Sequence, residues 1–396
     1  MKNEKNNFDK VINRRGSGSL KYDAMKQVLG HDAKYAMWVA DMDFKTPDFI
    51  TKALKDRVKH SVFGYDYRAP NHFDSFISWF KNRHQLDICP TTVGFTPGVV
   101  PAVNIAVLAY TNEGDKILVQ PPVYFPFFNA VTDHNRVLVQ SKLNFDGSRL
   151  QIDFDDFEEQ MKQGVKLFIL SNPHNPGGNV WTVEELTKMT DIALRYNVII
   201  VSDDIHCDLV YKKYKYTPIP TLSEEVAQQT VMFTAPSKTF NVSGLSSSVY
   251  VIPNEELRNK FENQIQKYHI SNGNIFGNVA MREAYKNGYQ YVDELMDYLQ
   301  KNVDFVVEFM SEHTPKIKPV IPESTFLIWL DCRELNLSDK RLNHFFLKKA
   351  DMGLNTGIMF GSGGEGFMRL NIGCPKSHLK KALGSLKKAY NKEFKK

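Results

Sequence analysis

The sequence predicts an α/β protein with a large domain, in which helices flank a mostly parallel sheet, and a smaller α+β domain. Short apolar runs alternate with helical periodicity through the middle of the chain. Runs that are apolar at every position are typical of strands covered on both faces, as in parallel sheets. A long helical pattern from about Tyr289 to Met310 then leads into an alternating stretch from Ser324 to Leu330. This later pattern predicts a second, smaller sheet that follows a connecting helix.

The strands predicted for the large sheet are 116–120, 136–140, 166–171, 198–202 and 231–234. Helical patterns lie between them, and the clearest begins at Thr182, where Thr182 and Glu185 have the spacing of a capping box. Strand–helix–strand units of this kind imply a parallel sheet with right-handed crossovers.

The length of 396 residues, of which 42% are hydrophobic, allows two domains. We predict a large domain at 49–285 and a small domain made of 1–48 together with 286–396. The N-terminal 45 or so residues are expected to be irregular and to pack against the small domain. The lysine-rich end of the chain, from Lys376, has apolar residues at helical spacing and predicts a closing helix with one packed face.

Composition excludes several classes of function. The net charge of +5 is small for this length, and no basic run is interleaved with aromatic residues, so we expect no nucleic-acid partner. No stretch is long and apolar enough to predict a membrane span, and the first residues lack the apolar run of a signal peptide, so we expect no secretory signal. The four cysteines are far apart and form no CxxC pair, so neither a zinc site nor a disulfide framework is predicted. Free thiols favour a cytoplasmic location.

Polar residues follow several of the predicted strands. Ligands of such sheets bind beyond the carboxyl ends of the strands, so these residues are candidates for a site. The segment 172–178, Asn-Pro-His-Asn-Pro-Gly-Gly, is either a plain loop or part of that site. Asp203 and Asp204 are either a helix cap, a metal-ligand pair or functional acids, and Lys238 directly follows Pro-Ser after a buried strand. Thr96-Pro-Gly98 precedes an apolar helix, whose first amides can bind an anion.

The sequence contains no nucleophile elbow, no P-loop and no dinucleotide-binding glycine motif with its acidic partner. The order of the strand-end segments instead resembles that of the fold-type I pyridoxal 5'-phosphate (PLP) enzymes, the aminotransferase superfamily. The resemblance extends from Trp38 to the C-terminus and is strongest for the cystathionine β-lyase-like C–S lyases, the group that includes the maltose-regulon modulator lyases. The segments that carry it are 38–44 (WVADMDF), 63–65 (FGY), 202–206 (SDDIH), 235–241 (APSKTFN) and 367–371 (FMRLN).

The resemblance implies a role for each strand-end residue. Lys238 carries PLP on its amine and later acts as the general base, Asp203 pairs with the pyridine nitrogen, and Arg369 clamps the substrate α-carboxylate. The other cofactor-binding residues that it implies are Asn175 at the phenolic oxygen, Tyr124 against the ring face and also near the substrate, Gly98, Val99, Val100 and Ser237 at the phosphate, and His206. Tyr65 of one subunit is expected to reach the phosphate held by the other, which requires a homodimer.

Two positions depart from the aminotransferase pattern. Many aminotransferases have an arginine at the position of Ser246 and a tyrosine at the position of His206. Both departures favour the lyase branch. We therefore expect a PLP-dependent C–S lyase that converts cysteine S-conjugates or cystathionine to a thiol, pyruvate and ammonia. An aminotransferase, and a regulatory protein that binds PLP and acts on another protein, are the alternatives.

Overall fold

The structure of the protein is a computed structural model that describes residues 6–395. Within these residues there are fifteen β-strands and fifteen α-helices. The strands are β1 (Tyr35–Ala36), β2 (Val93–Thr96), β3 (Lys116–Val119), β4 (Val137–Gln140), β5 (Asn144–Phe145), β6 (Leu150–Gln151), β7 (Val165–Ser171), β8 (Ile199–Asp203), β9 (Thr230–Thr234), β10 (Ser248–Val251), β11 (Lys318–Pro319), β12 (Leu327–Asp331), β13 (Met352–Gly353), β14 (Asn355–Thr356) and β15 (Phe367–Asn371).

The helices are α1 (Leu20–Asp23), α2 (Met25–Leu29), α3 (Asp48–Lys59), α4 (Asp74–His84), α5 (Val99–Tyr110), α6 (Pro126–Thr132), α7 (Phe154–Lys162), α8 (Val183–Arg195), α9 (Glu224–Gln228), α10 (Pro236–Thr239), α11 (Glu255–Lys267), α12 (Ile275–Asn287), α13 (Tyr289–His313), α14 (Asp339–His344) and α15 (Lys376–Phe394). A π-helical turn, Phe345–Lys349, follows α14. No helix of residues 6–395 is long and apolar enough to cross a bilayer.

The large sheet has seven strands in the order β2-β10-β9-β8-β7-β3-β4. The five strands from β9 to β4 pair in parallel, and β10 is antiparallel to both β9 and β2. The prediction of a mostly parallel sheet is therefore confirmed. Chain order reverses between β3 and β7, because β4 lies on one side of β3 and β7 on the other. Ligands of open α/β sheets bind at such a switch point.

Helices cover both faces of this sheet because its central strands are apolar at successive positions. On β7, Leu167 and Ile169 pack with helix α5 on one face, whereas Phe168 and Leu170 pack with α7 and α8 on the other. This is the two-residue alternation of a strand with two buried faces. The expectation that every predicted strand is covered on both faces is wrong for β4. That strand lies at the edge of the sheet, where Val137 is 44% exposed.

The smaller sheet has four strands in the order β11-β12-β15-β14 and packs with α13 and α15 in a shared core. The long helix predicted from about Tyr289 is confirmed as α13. The predicted strand at Ser324 begins three residues later, at Leu327, because Thr325 adopts a left-handed backbone with φ of 69°. The N-terminal region contains α1 and α2 and pairs with the later part of the chain through β1 and β13. The division at residues 48 and 285 stays a prediction, and residues 1–5 and 396 lie outside the described part.

Candidate active site

The carboxyl ends of β2, β3, β7, β8 and β9 meet at one edge of the large sheet and surround a cavity of about 190 Å³. Parallel strands bring the residues that follow them to the same edge. Nine residues that the sequence predicted for the site line this cavity, namely Gly98, Val99, Val100, Tyr124, Asn175, Asp203, His206, Ser237 and Lys238. Residues distant in sequence are thus gathered into one site.

Lys238 lies in the short helix α10, directly after β9, and its half-buried side chain lines the cavity. Its Nζ donates a hydrogen bond to the backbone carbonyl of Ala40 at 2.6 Å. The pKa of the amine is lowered to about 8. Burial is the main cause, and the charge of Arg369 acts in the same direction, while Asp41 and Asp203 oppose the shift. A lysine in this state loses its proton near neutral pH, as a general base must.

Asp203 is the last residue of β8 and faces the cavity. Its Oδ1 accepts the backbone N–H of Ile205 at 3.1 Å, and burial raises the pKa of the carboxyl to about 7. Asp204 bonds elsewhere, since its Oδ1 accepts the Tyr216 hydroxyl at 2.6 Å and the Asn172 amide at 3.3 Å. The two carboxyl groups therefore do not form a pair that could share a metal ion, and Asp203 is the acid that faces the cavity.

Asn175 joins the cavity to Arg369. The Arg369 guanidinium is buried on β15, where its Nη1 donates to Asn175 Oδ1 at 2.9 Å. Its Nη2 donates to the Trp38 carbonyl at 3.0 Å and to Asn355 Oδ1 at 2.7 Å. Within residues 6–395, Arg369 Nε has no hydrogen-bond partner. Burial lowers the pKa of Arg369 to about 10, and no carboxylate of the described residues pairs with it. The side chain is thus a buried cation with donor capacity to spare, which suits a carboxylate ligand.

Helix α5 begins at the cavity, and Gly98 caps it with φ of 148°, a backbone that favours glycine. The first amides of a helix have no acceptor within the helix, so those of Val99 and Val100 are available to an anion. Four serines also line the cavity, namely Ser237, Ser243, Ser246 and Ser247. Lys238 is the sole lysine or arginine among the described residues of the lining. An anion held here is met by amides and hydroxyls rather than by an arginine at Ser246.

Tyr124 and His206 complete the lining. Burial raises the pKa of Tyr124, and the charge of Asp203 adds to this shift, so its hydroxyl keeps its proton. Burial, together with Lys238 and Arg369, holds the pKa of His206 well below its usual range. In the described part of the chain, His206 Nδ1 has no hydrogen-bond partner. A neutral histidine with an unpaired ring nitrogen is ready to bond a ligand.

Two predicted site residues are not part of the cavity lining: Arg369, which is bonded to Asn175 of the lining, and Tyr65, which lies on an exposed segment. Tyr65 is fully exposed, as are most neighbouring side chains of the 61–67 segment. The position agrees with a residue that does not serve its own subunit, but its role across a dimer stays a prediction.

Two features of the site were missed by sequence reasoning. The first is the Ala40 carbonyl on Lys238, which is a backbone group and carries no side-chain signal. The second is a buried network behind Lys238, in which Asp208 accepts hydrogen bonds from Trp79, His84 and Thr239. A Thr239 hydroxyl bonded to Asp208 fixes the residue next to Lys238. The sequence indicated Asp203 and Asp204 as candidate site residues, but no spacing pattern distinguished Asp208 from an ordinary surface acid.

A lysine and an aspartate at the carboxyl ends of adjacent parallel strands, with an arginine from a second sheet, define an aminotransferase-like site. The chain belongs to the family of class I and II aminotransferases, which it matches over residues 38–386.

Within that family, the chain is similar both to proteins named as lyases and to proteins named as aminotransferases. It is 41% identical to cystathionine beta-lyase PatB of Bacillus subtilis (strain 168) over 97% of this chain and 99% of that protein. It is also similar to the structure of cystalysin from Treponema denticola, which contains a pyridoxal 5'-phosphate cofactor, with 34% identity and a TM-score of 0.94 over 98% of this chain and 100% of that one. A PLP-bound putative aminotransferase from Clostridium difficile 630 has 39% identity and a TM-score of 0.96 over 98% of this chain and 100% of that one.

Proposed function

We propose that this protein is a PLP-dependent carbon–sulfur lyase that releases a thiol, pyruvate and ammonia from β-thioether amino acids such as cystathionine. The observation that carries the proposal is the Lys238 amine in one cavity with Asp203, with the Arg369 guanidinium bonded to Asn175 of the same cavity lining. The likeness to PatB and cystalysin over nearly the whole chain supports the lyase reaction.

The residues of the cavity fit the chemical groups of PLP. A buried amine suits a covalent bond to its aldehyde, and the Asp203 carboxylate suits its ring nitrogen. The α5 amides and the serines suit its phosphate, while Asn175 or the unpaired Nδ1 of His206 suits its polar ring substituents. When bound, PLP withdraws electrons from the substrate Cα and so makes the Cα proton removable.

Arg369, Lys238 and Asp203 have separate roles in the reaction. Arg369 holds the substrate α-carboxylate and thereby orients the Cα–H bond toward the Lys238 amine. Lys238 would be freed when the amino group of the substrate takes its place on the cofactor, and its amine would then take the Cα proton, for which its lowered pKa of about 8 suits it. Asp203 would pair with the protonated ring nitrogen of bound PLP, and that positive charge would oppose the raised pKa of about 7 and favour the ionised carboxylate. The substrate's C–S bond breaks as electrons move from Cα, and a thiolate leaves with little need for an acid. The three-carbon fragment that remains takes up one water molecule and gives pyruvate and ammonia.

An aminotransferase is the second candidate, because the family and one structural relative carry that name. Transamination requires a second proton delivery and stores the amino group on the cofactor, whereas elimination needs no amino acceptor. Ser246 in the cavity and His206 beside it are the residues that favoured the lyase branch from the sequence. The partition between the two reactions decides between the candidates.

The test is a product assay on the purified holoenzyme with cystathionine and no keto acid. We expect pyruvate and free thiol in equal amounts over many turnovers. The Lys238→Ala variant is expected to lose at least 1,000-fold in rate, on the order of a missing general base and cofactor link. Turnover that depends on an added keto acid, with no thiol released, would replace the lyase proposal by the aminotransferase.

The active protein is further proposed to be a cytoplasmic homodimer in which Tyr65 contacts the phosphate in the other subunit. Support comes from the exposed Val62, Phe63, Tyr65 and Tyr67, since apolar side chains so close together mark interaction surfaces. No nucleic-acid or membrane partner is proposed.

A further inference from the structure

The 38–44 segment contacts both principal cations of the site through backbone carbonyls. The Ala40 carbonyl accepts Lys238 Nζ at 2.6 Å, and the Trp38 carbonyl accepts Arg369 Nη2 at 3.0 Å. The segment has no regular secondary structure that would fix its path. Besides the Asp43 N–H, which donates to the Gly373 carbonyl at 2.7 Å, the segment is held in place by side chains, so the position of both acceptors depends on them.

Two asparagines hold the segment from the site side. Asn371, two residues after Arg369, donates from Nδ2 to the carbonyls of Val39 at 2.6 Å and Asp41 at 2.7 Å. Asn241, three residues after Lys238, accepts the Met42 N–H at 3.0 Å and donates to the Met42 carbonyl at 2.9 Å. The segment is thus tied to strand β15, which carries Arg369, and to the residues that directly follow helix α10, which carries Lys238.

A charge cluster holds the segment from the other side. Arg14 donates to both oxygens of Asp41, at 2.9 and 2.6 Å, and to Asp43 Oδ1 at 2.8 Å. Lys21, only 1% exposed, donates to Asp43 Oδ2 at 3.0 Å, as does the Tyr22 hydroxyl at 3.0 Å. Two cations and two carboxylates balance each other here, and removing one partner of such a cluster leaves an uncompensated charge.

We propose that Arg14 is a positioning residue of the active site, which fixes the 38–44 segment and neutralises Asp41, so that the Ala40 carbonyl and the Asp41 carboxylate stay in their places near the Lys238 amine. The inference rests on the proposed function, in which Lys238 is the base. Arg14 itself contacts neither Lys238 nor any other residue of the cavity lining with a hydrogen bond in the described chain.

The charges around Lys238 determine in which direction each substitution shifts the pKa of its amine. Asp41, Asp203 and Arg369 act on the amine, and the neutral His206 lies beside it. Asp41 favours the protonated amine. Arg14→Met leaves Lys21, 3.6 Å from Asp41 and 3.0 Å from Asp43, as the one cation of the described residues that pairs with both carboxylates, so it raises the pKa of Lys238. Asp41→Asn removes the negative charge and lowers it. Loosening of the segment alone would admit water to Lys238 and raise the pKa in both variants. The direction in Asp41→Asn therefore separates a specific electrostatic role from general disorder.

The experiment measures the ionisation of Lys238 directly. The full-length chain, stripped of cofactor, is labelled with an amine-reactive acetylating reagent across a pH series, and labelling of the Lys238 peptide is quantified by mass spectrometry. We expect the midpoint to rise by about half a pH unit or more in Arg14→Met and to fall by a similar amount in Asp41→Asn. Arg14→Lys, which keeps the charge, is expected to recover most of the wild-type midpoint.

Arg15→Met is the matched control. Arg15 is the neighbouring residue, and it pairs on the surface with Asp32 at 3.0 Å, where the two side chains are 42% and 54% exposed. In Arg15→Met, the pH midpoint of Lys238 labelling is expected to equal that of the wild type. The pH titration of the visible absorbance of each holoenzyme gives an independent readout, with the same order of midpoints among the variants.

An unchanged midpoint in Arg14→Met, or a rise in Asp41→Asn, would overturn the proposal. If Arg14→Met does not fold, the sign of the change in Asp41→Asn decides by itself. Failure of the proposed function shows differently, because the wild-type holoenzyme would then release no thiol from cystathionine without an added keto acid, whatever the labelling midpoints of the variants.

Discussion

Asp203, the last residue of β8, and its neighbour Asp204 are both carboxylic acids, but they have different surroundings and different roles. Both carboxyl groups are buried, and burial raises the pKa of each, to about 7 and about 8. Asp203 faces the cavity, whereas Asp204 is bonded to the Tyr216 hydroxyl and the Asn172 amide. With no cation bonded to it in residues 6–395, Asp204 is best satisfied as a neutral acid.

The first prediction compares isosteric variants of these two acids. Asp203→Asn removes the charge beside the ring nitrogen and is expected to lower kcat roughly 30- to 150-fold, which corresponds to about 2–3 kcal/mol. Asp204→Asn keeps the shape of a neutral acid and is expected to stay within about threefold of wild type. Steady-state kinetics of both holoenzymes checks this. The reverse order of the two losses would assign the ring nitrogen to Asp204.

The second prediction concerns Arg369. Arg369→Lys keeps a positive charge but loses the planar arrangement of donors that reaches Asn175 and Asn355. We expect KM to rise and kcat to fall, with kcat/KM lower by roughly 100-fold, because the carboxylate clamp also orients the Cα–H bond. Separate determination of kcat and KM on cystathionine tests the expectation. A change in KM alone would show that Arg369 binds the substrate without orienting it.

At the scale of elements, the 172–178 loop that presents Asn175 is held by a salt-bridge cluster outside the site. Arg149 donates to both oxygens of Glu185, at 2.6 and 2.9 Å, and to Glu323 Oε1 at 3.0 Å. Glu323 in turn accepts the Val180 N–H at 2.7 Å, and its own N–H donates to the Gly178 carbonyl at 3.0 Å. The cluster joins the loop to helix α8 and to the segment that leads into β12.

The third prediction follows from this cluster. Arg149→Met leaves Glu185 and Glu323 facing each other without a cation, and we expect the free energy of unfolding of the holoenzyme to fall by about 2–3 kcal/mol. Arg195→Met serves as the control, since Arg195 forms an exposed pair with Glu158 and its loss is expected to change stability little. Equilibrium denaturation in urea compares the three proteins. Equal midpoints for Arg149→Met and the wild type would contradict the prediction.

Most elements could be predicted because their signals are local. The capping box of α8 is an example, since Thr182 accepts the Glu185 N–H at 3.1 Å and Glu185 accepts the Thr182 N–H at 2.8 Å, as their spacing indicated. The edge position of β4 could not be read in this way, because its apolar run is the same whether or not a neighbour follows it. The late start of β12 was missed because a non-glycine residue, Thr325, adopts a left-handed backbone that no local pattern announces.

At the scale of the whole molecule, sequence patterns located the site but not the connections across it. Lys238, Asp203 and Asn175 follow predicted strands, and a parallel sheet necessarily brings such residues to one edge. Arg369 lies on a different sheet, and only the resemblance to known enzymes placed it there in advance. The role of Arg14 depends on contacts to residues 27 and 29 positions away and on an irregular segment, so no periodicity predicts it.

The last prediction concerns the assembly. Tyr65 is fully exposed in the single chain, and we expect it to act on the phosphate of the other subunit. Tyr65→Ala is expected to weaken PLP binding by roughly 10-fold, the effect of one lost hydrogen bond to a charged group.

Heterodimers of Tyr65→Ala and Lys238→Ala chains, isolated by two affinity tags, contain one site with both an intact Lys238 and an intact Tyr65. We expect such heterodimers to reach about half of the wild-type rate at low PLP concentration, since one of two sites is whole. Each mutant homodimer is the control. A heterodimer no more active than the mean of the two homodimers would mean that Tyr65 does not act across the interface, and sedimentation of a fully active monomer would exclude the dimer itself.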